Sequence, residues 1–170
     1  MENIQSTEQP ATNQPARPLF LTVLCILTFI GSGLSIISNS FSYITADTRA
    51  DLVQAAMDDA KNKIEEEGNA NSGIAKKIFS DTSDLVKPEN MKKSNLFSIL
   101  AALITLFGAV LMFRLKKTGY WLYIIGTVLG IAGPMYVFGE NIISMLSTIF
   151  IGIIGIVFVI LYGLNLKYLK

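Results

Sequence analysis

Four stretches of this chain contain no Asp, Glu, Lys or Arg: Pro18 to Ala46, Ser94 to Phe113, Thr118 to Gly139 and Asn141 to Leu166, of 29, 20, 22 and 26 residues. Crossing the ~30 Å hydrocarbon core of a bilayer takes about 20 predominantly apolar helical residues. Each stretch reaches that length, so the pattern predicts an all-α polytopic membrane protein with four transmembrane helices. Charge is gathered elsewhere. Of 27 charged residues, 18 lie between Asp47 and Lys93, 10 of them acidic and 8 basic.

The 170 residues divide accordingly. A polar tail over 1–17, with Pro10 and Pro15, lacks the apolar content to bury a core and is expected to be disordered. Spans are expected over 18–46, 94–113, 118–139 and 140–166. A charged helical segment, 47–93, separates the first two, a basic turn, 114–117, joins the second and third, and 167–170 close the chain. The first span reads as a retained anchor. Its n-region is nearly neutral, its apolar run is longer than a signal peptide needs, and no A-x-A pattern follows. Pro88 and Glu89 suit a first helical turn ahead of the second span. Tyr120, Trp121 and Tyr123 form an aromatic belt at the start of the third. Gly133-Pro134 predicts a kink there, because proline removes a backbone donor.

Orientation follows from the short connections. Arg114, Lys116 and Lys117 share one side with Lys167, Lys170 and Arg17, whereas the turn around Glu140 holds no Lys or Arg. The positive-inside rule then places both termini in the cytoplasm and 47–93 outside. Lys92 and Lys93 run against this assignment, but long segments translocate with little regard to charge, and this one is −2 overall.

Within 47–93, Val53, Ala56, Met57, Ala60 and Ile64 recur at helical spacing. Thr48-x-x-Asp51 resembles a capping box, Asp59 and Lys63 form an i,i+4 pair, and Gly68-Asn69 suits a helix end. A second short helix is expected over Ile74–Phe79, followed by a turn at Asp81, Thr82, Ser83 and Asp84. The apolar stripe is expected to pack on Ile74, Ile78, Phe79 and Leu85 or on headgroups; its functional reading is a partner surface. Asp58, Asp59, Glu65, Glu66 and Glu67 lack the alternating spacing that wraps a cation, and read as a solvated face.

The chain has no histidine and one cysteine, Cys25, and its net charge is +1. The commonest neutral-pH acid–base residue and metal ligand is thus missing, and no basic excess suggests nucleic acid. Ionisable groups that drive proton relays and ion coupling sit at membrane depth at a cost of at least ~2.5–3.5 kcal/mol each; the four spans contain none. No catalytic residue, cofactor or metal is expected.

Small and weakly polar residues instead line one face of each span. Cys25, Thr28, Ser32, Ser35, Asn39 and Ser42 alternate at three and four, as do Ser98, Ala102, Thr105 and Ala109. Gly126, Gly130 and Gly133 mark the third span, and Ser144, Thr148, Gly152 and Gly155 the fourth. Helices in lipid associate through close approach and interhelical hydrogen bonds, so these faces are expected to meet in one bundle. Gly126-x-x-x-Gly130 offers a dimer contact as the alternative. Asn39 is expected to bond a neighbouring helix near the membrane surface.

Three pieces of sequence, Arg17-Pro-Leu-Phe-Leu-Thr-Val-Leu-Cys-Ile-Leu-Thr-Phe-Ile-Gly-Ser-Gly33, Met112-Phe-Arg-Leu-Lys-Lys-Thr-Gly-Tyr120 and Leu161-Tyr-Gly-Leu-Asn-Leu-Lys-Tyr-Leu-Lys170, resemble uncharacterised small four-span integral membrane proteins of Bacteroidetes bacteria. The resemblance covers the spans and their basic flanks, and implies a bacterial inner-membrane location with no catalytic residues. The expected function is a non-enzymatic structural or interaction component embedded in the lipid bilayer, with a membrane-protein partner or a second copy of itself. The alternative is an oligomeric pore or transport subunit for a small solute. On a Cys25→Ser background, a cysteine at Asn69 is expected to react with an impermeant maleimide in intact cells. One at Lys116 should react only after permeabilisation, and the reverse pattern would invert the orientation.

Overall fold

The computed structural model describes residues 18–66, 82–83, 85–139 and 141–170. These form five helices in chain order: α1 (Leu19–Ile44), α2 (Ala46–Glu66), α3 (Pro88–Phe113), α4 (Thr118–Phe138) and α5 (Ile142–Gly163), then a short 3-10 turn at Leu166–Tyr168. α1, α3, α4 and α5 are each long and apolar enough to cross a membrane, at 26, 26, 21 and 22 residues. The protein is a four-span helical membrane protein.

Local chemistry sets the helix ends. Pro88 opens α3 where its missing amide costs nothing. The Asn141 side chain caps α5 by accepting the Ser144 amide at 3.0 Å. Gly139, at φ 55°, lets the chain turn sharply out of α4. α1 and α2 meet at Thr45, whose hydroxyl donates back to the Phe41 carbonyl at 2.8 Å. α3 closes in a Schellman motif: the Lys116 amide reaches the Leu111 carbonyl and the Leu115 amide reaches Met112, both at 2.9 Å. The left-handed position of that motif usually belongs to glycine, but here Leu115 occupies it at φ 60°. This costs about 1–2 kcal/mol. Its side chain packs against a buried cluster of Leu21, Leu24, Cys25, Met112, Tyr123, Tyr162 and Leu169, which offsets the strain.

α3 is the central helix. It packs on α1 along one side and on α4 along the other; α5 lies on α4 and touches α1 sparsely. Glycines make the α3–α4 approach possible. A Cβ at Gly108 would sit 2.8 Å from the Gly119 carbonyl oxygen and the Tyr123 amide nitrogen, and one at Gly119 would collide with the Gly108 carbonyl. At Gly126 it would meet the Thr105 amide nitrogen at 2.9 Å. Outward, Ile30, Leu34, Ile37 and Phe41 of α1 and Leu146, Phe150 and Ile153 of α5 are exposed. Such faces have lipid as their solvent.

The details depart from the sequence pattern in several places. α1 stops at Ile44 and α2 begins at Ala46, so Thr48 lies inside the first turn of α2 rather than capping it. Thr45 stands at the boundary instead. α4 carries Pro134 inside it, and α5 ends at Gly163 rather than Leu166. In α2 the buried residues are Ala46, Ala50 and Met57, while Val53 and Ala56 are exposed. The buried side is the one turned toward the chain entering α3, because Ala50 and Gln54 border a recess with Val86, Lys87 and Pro88. Thr82 and Ser83 are helical rather than a turn. The tail over 1–17, the Gly68-Asn69 helix end and the expected Ile74–Phe79 helix lie outside the described residues.

Gly108→Ala should lower stability by about 1–3 kcal/mol, the usual cost of overpacking, because the added methyl group faces backbone that cannot rotate away. Gly31→Ala has open space and should be neutral or stabilise by up to ~1 kcal/mol. Thermal unfolding in one detergent compares them.

Candidate functional site

A cluster of polar side chains links α1 to α3 and α5 inside the bundle. α1 turns Cys25, Thr28 and Ser32 inward at successive three- and four-residue steps. The Thr28 and Tyr162 hydroxyls lie 2.8 Å apart, joining α1 to α5. Tyr162 is fully buried, and its ring lies 4.9 Å from that of Tyr123 on α4. The Cys25 thiol donates weakly to the Ala109 carbonyl at 3.6 Å. The Thr105 hydroxyl donates to Ala102 at 3.0 Å, which leaves it to accept from Ser32 at 3.2 Å. α3 is tied to α1 by the Cys25–Ala109 and Ser32–Thr105 contacts.

A hydroxyl becomes a nucleophile when an adjacent base takes its proton, and among the described residues these hydroxyls have one another, the Cys25 thiol and carbonyl oxygens for neighbours. Every buried side-chain N or O atom among the described residues has a hydrogen-bond partner. No three Cys, Asp or Glu residues among them gather closely enough to hold a metal ion.

The residues singled out by pattern fall at different depths of contact. Gly126 lies against Thr105, and Gly133 against Phe97, where a Cβ would come within 2.5 Å of the Phe97 Cβ. A Cβ added at Gly155 would come 2.7 Å from the Thr127 methyl. Gly130 and Gly152 are looser: an added Cβ would meet Ala101 at 3.5 Å and Ile131 at 3.4 Å. Among the described residues, Ser35 and Asn39 hydrogen-bond each other within α1. Asn39 donates to the Ser35 carbonyl at 2.7 Å and its hydroxyl at 3.1 Å, satisfying itself within α1 where the expected bond was to a neighbour. Ser42 accepts from Arg49 at 3.2 Å. Gly108, Gly119 and Tyr162 are absent from the pattern reading, and Tyr123, expected in the aromatic belt at the headgroups, is instead buried in the core cluster. A signal existed: Gly119, Tyr123, Gly126, Gly130 and Gly133 follow steps of four and three, and Tyr162 stands seven after Gly155.

The two ends of the bundle carry opposite kinds of surface. At one, Lys92 donates to both Asp47 carboxylate oxygens at 2.8 Å, joining α2 to α3. That hydrogen bond holds the Lys92 ammonium above the ordinary lysine value. Lys63 pairs with Asp59 at 3.1 Å, and the Arg49 guanidinium lies 5.9 Å over the Phe41 ring. At the other end Arg114, Lys116, Lys117, Lys167 and Lys170 are all exposed.

Compared with protein-family models, curated proteins and solved structures, the chain matches none.

The Thr28–Tyr162 bond can be measured directly. A Thr28→Val, Tyr162→Phe double-mutant cycle in detergent should return a coupling of about 0.6 kcal/mol, the average for interhelical bonds in membranes, and at most ~1.7 kcal/mol. A coupling of zero would mean the bond does not hold α5 to α1.

Proposed function

We propose that this protein is a non-enzymatic membrane component that holds a charged helix at one membrane face for another protein to bind. The observation that carries this reading is how α2 is fixed. It follows α1 across the single residue Thr45, is clasped from the α1 side by Arg49 on Ser42 and Phe41, and is tied to α3 by Asp47 and Lys92. Exposed ion pairs contribute only about 0–1 kcal/mol each, but three contacts close together restrict where α2 can point. Thus restrained, α2 keeps Leu52 67% and Val53 38% exposed, beside the exposed Ala56.

In this reading the five basic residues of the opposite end face the cytoplasm together with both termini, in a bacterial inner membrane. Kinship with the small four-span proteins of Bacteroidetes is part of the proposal and rests on the three sequence pieces alone. The pore alternative, which would be lined by the Thr28–Ser42 stripe of α1, has less support, since Thr28 and Ser32 of that stripe already bond side chains of other helices.

Gentle-detergent purification tests the reading. Wild type should bring down a stoichiometric partner that a Leu52→Asp, Val53→Asp variant of equal thermal stability loses at least about tenfold, on the order of 1.4 kcal/mol. Equal recovery by both would remove α2 as the docking face. Solute-dependent flux through the purified protein in liposomes would favour the pore.

A further inference from the structure

We propose that the basic end of the bundle is a binding site for the headgroups of anionic phospholipids. Its five cations come from two separate parts of the chain, the α3–α4 turn and the residues after α5. A backbone staple draws them together: the Lys117 amide donates to the Lys170 carbonyl at 2.8 Å, and the Lys170 amide donates to the Leu115 carbonyl at 2.7 Å. The platform beneath is firm. Leu169 is buried in the same cluster as Tyr162 and Met112, and Asn165 donates to the Leu161 carbonyl at 2.8 Å.

Fixing like charges side by side is unfavourable unless opposite charge is at hand. The described acidic residues, between Asp47 and Glu66 and at Glu89, belong to the segments at the far ends of α1 and α3. The Lys167 ammonium lies 5.0 Å from the Tyr168 ring. Among the described residues no acidic side chain stands at this end, and the surroundings point to where counter-charge is at hand. The cations stand at the ends of membrane-crossing helices, level with Trp121 and Tyr168, which are 65% and 45% exposed, as headgroup-level aromatics are. Leu19 and Phe20 expose apolar surface at the same end, along which acyl chains can lie. A soluble anion would gain the charge alone; a lipid gains both. Lysines on long stems make no fixed cradle, so selectivity should follow headgroup charge rather than headgroup identity.

The full chain, delipidated in detergent, is offered equimolar phosphatidylglycerol and phosphatidylcholine of identical acyl chains, and the retained lipids are counted by native mass spectrometry. Wild type should retain the anionic lipid about tenfold over the zwitterionic one, given the attraction each basic residue adds near an anionic surface. Lys116→Gln, Lys117→Gln, Lys170→Gln should cut that preference to about twofold. The corresponding arginine variant should keep it, as should Lys63→Gln, Lys87→Gln, Lys93→Gln at the other end. If the first variant does not fold, Arg114→Gln, Lys167→Gln reads the same quantity without touching the staple. No preference in wild type, or one unchanged in the glutamine variants, would overturn the proposal. So would displacement of the lipid by glycerol phosphate at equal concentration, which would mark a site for soluble anions.

Discussion

Lipid gives two helices no reward for hiding apolar surface from it, so helix pairs in a membrane hold through close backbone approach and a few internal hydrogen bonds. In this protein that approach is closest between α3 and α4, at Gly108 and Gly119, where a single methyl group would run into backbone. Everything else is arranged around the pair. α1 lies on the far side of α3 and is fastened by Cys25 and Ser32. α4 carries α5 on its other face. The turn joining α3 to α4 is tight enough to place Leu115 in a left-handed conformation, and the residues after α5 return to bond that turn.

The four spans were legible in the sequence because the bilayer imposes a length and excludes charge, and both show in a single row of letters. The inward faces were legible in part. Cys25, Thr28 and Ser32 declared themselves by spacing, because the same step that repeats a helix face repeats its contacts. Gly119 did not, standing two residues after Lys117 in what reads as a turn. Gly126 and Gly130 look alike in sequence and differ in the fold: the first touches the Thr105 backbone, while the second meets only the Ala101 methyl at an ordinary distance. Separation between two helices varies along their length, and no single sequence records it.

α2 shows a different limit. Its apolar residues have helical periodicity, but periodicity gives a face and not what covers it. The buried side proved to run through Ala46, Ala50 and Met57, because the neighbouring chain arrives there on its way into α3. Asn39 taught the same lesson for hydrogen bonds. A polar side chain in a span needs a partner, and the carbonyl four residues back on its own helix is always within reach.

α5 is attached unevenly. Toward its C-terminal end, Tyr162 bonds Thr28, Leu169 fills the buried cluster, and Lys170 is stapled to the α3–α4 turn. Toward its beginning, only the narrow stripe of Asn141, Ser144, Thr148 and Gly152 is covered, and the residues around it face outward. A rod clamped at one end and lightly seated at the other behaves as a hinged flap. Its amides near Ile142 should trade protons with solvent or swing aside at small free-energy cost, long before those of α3 and α4 do. Thermal agitation would thus part α5 from α4 as a zip opens, starting at the face that carries α2 and running toward the clamp.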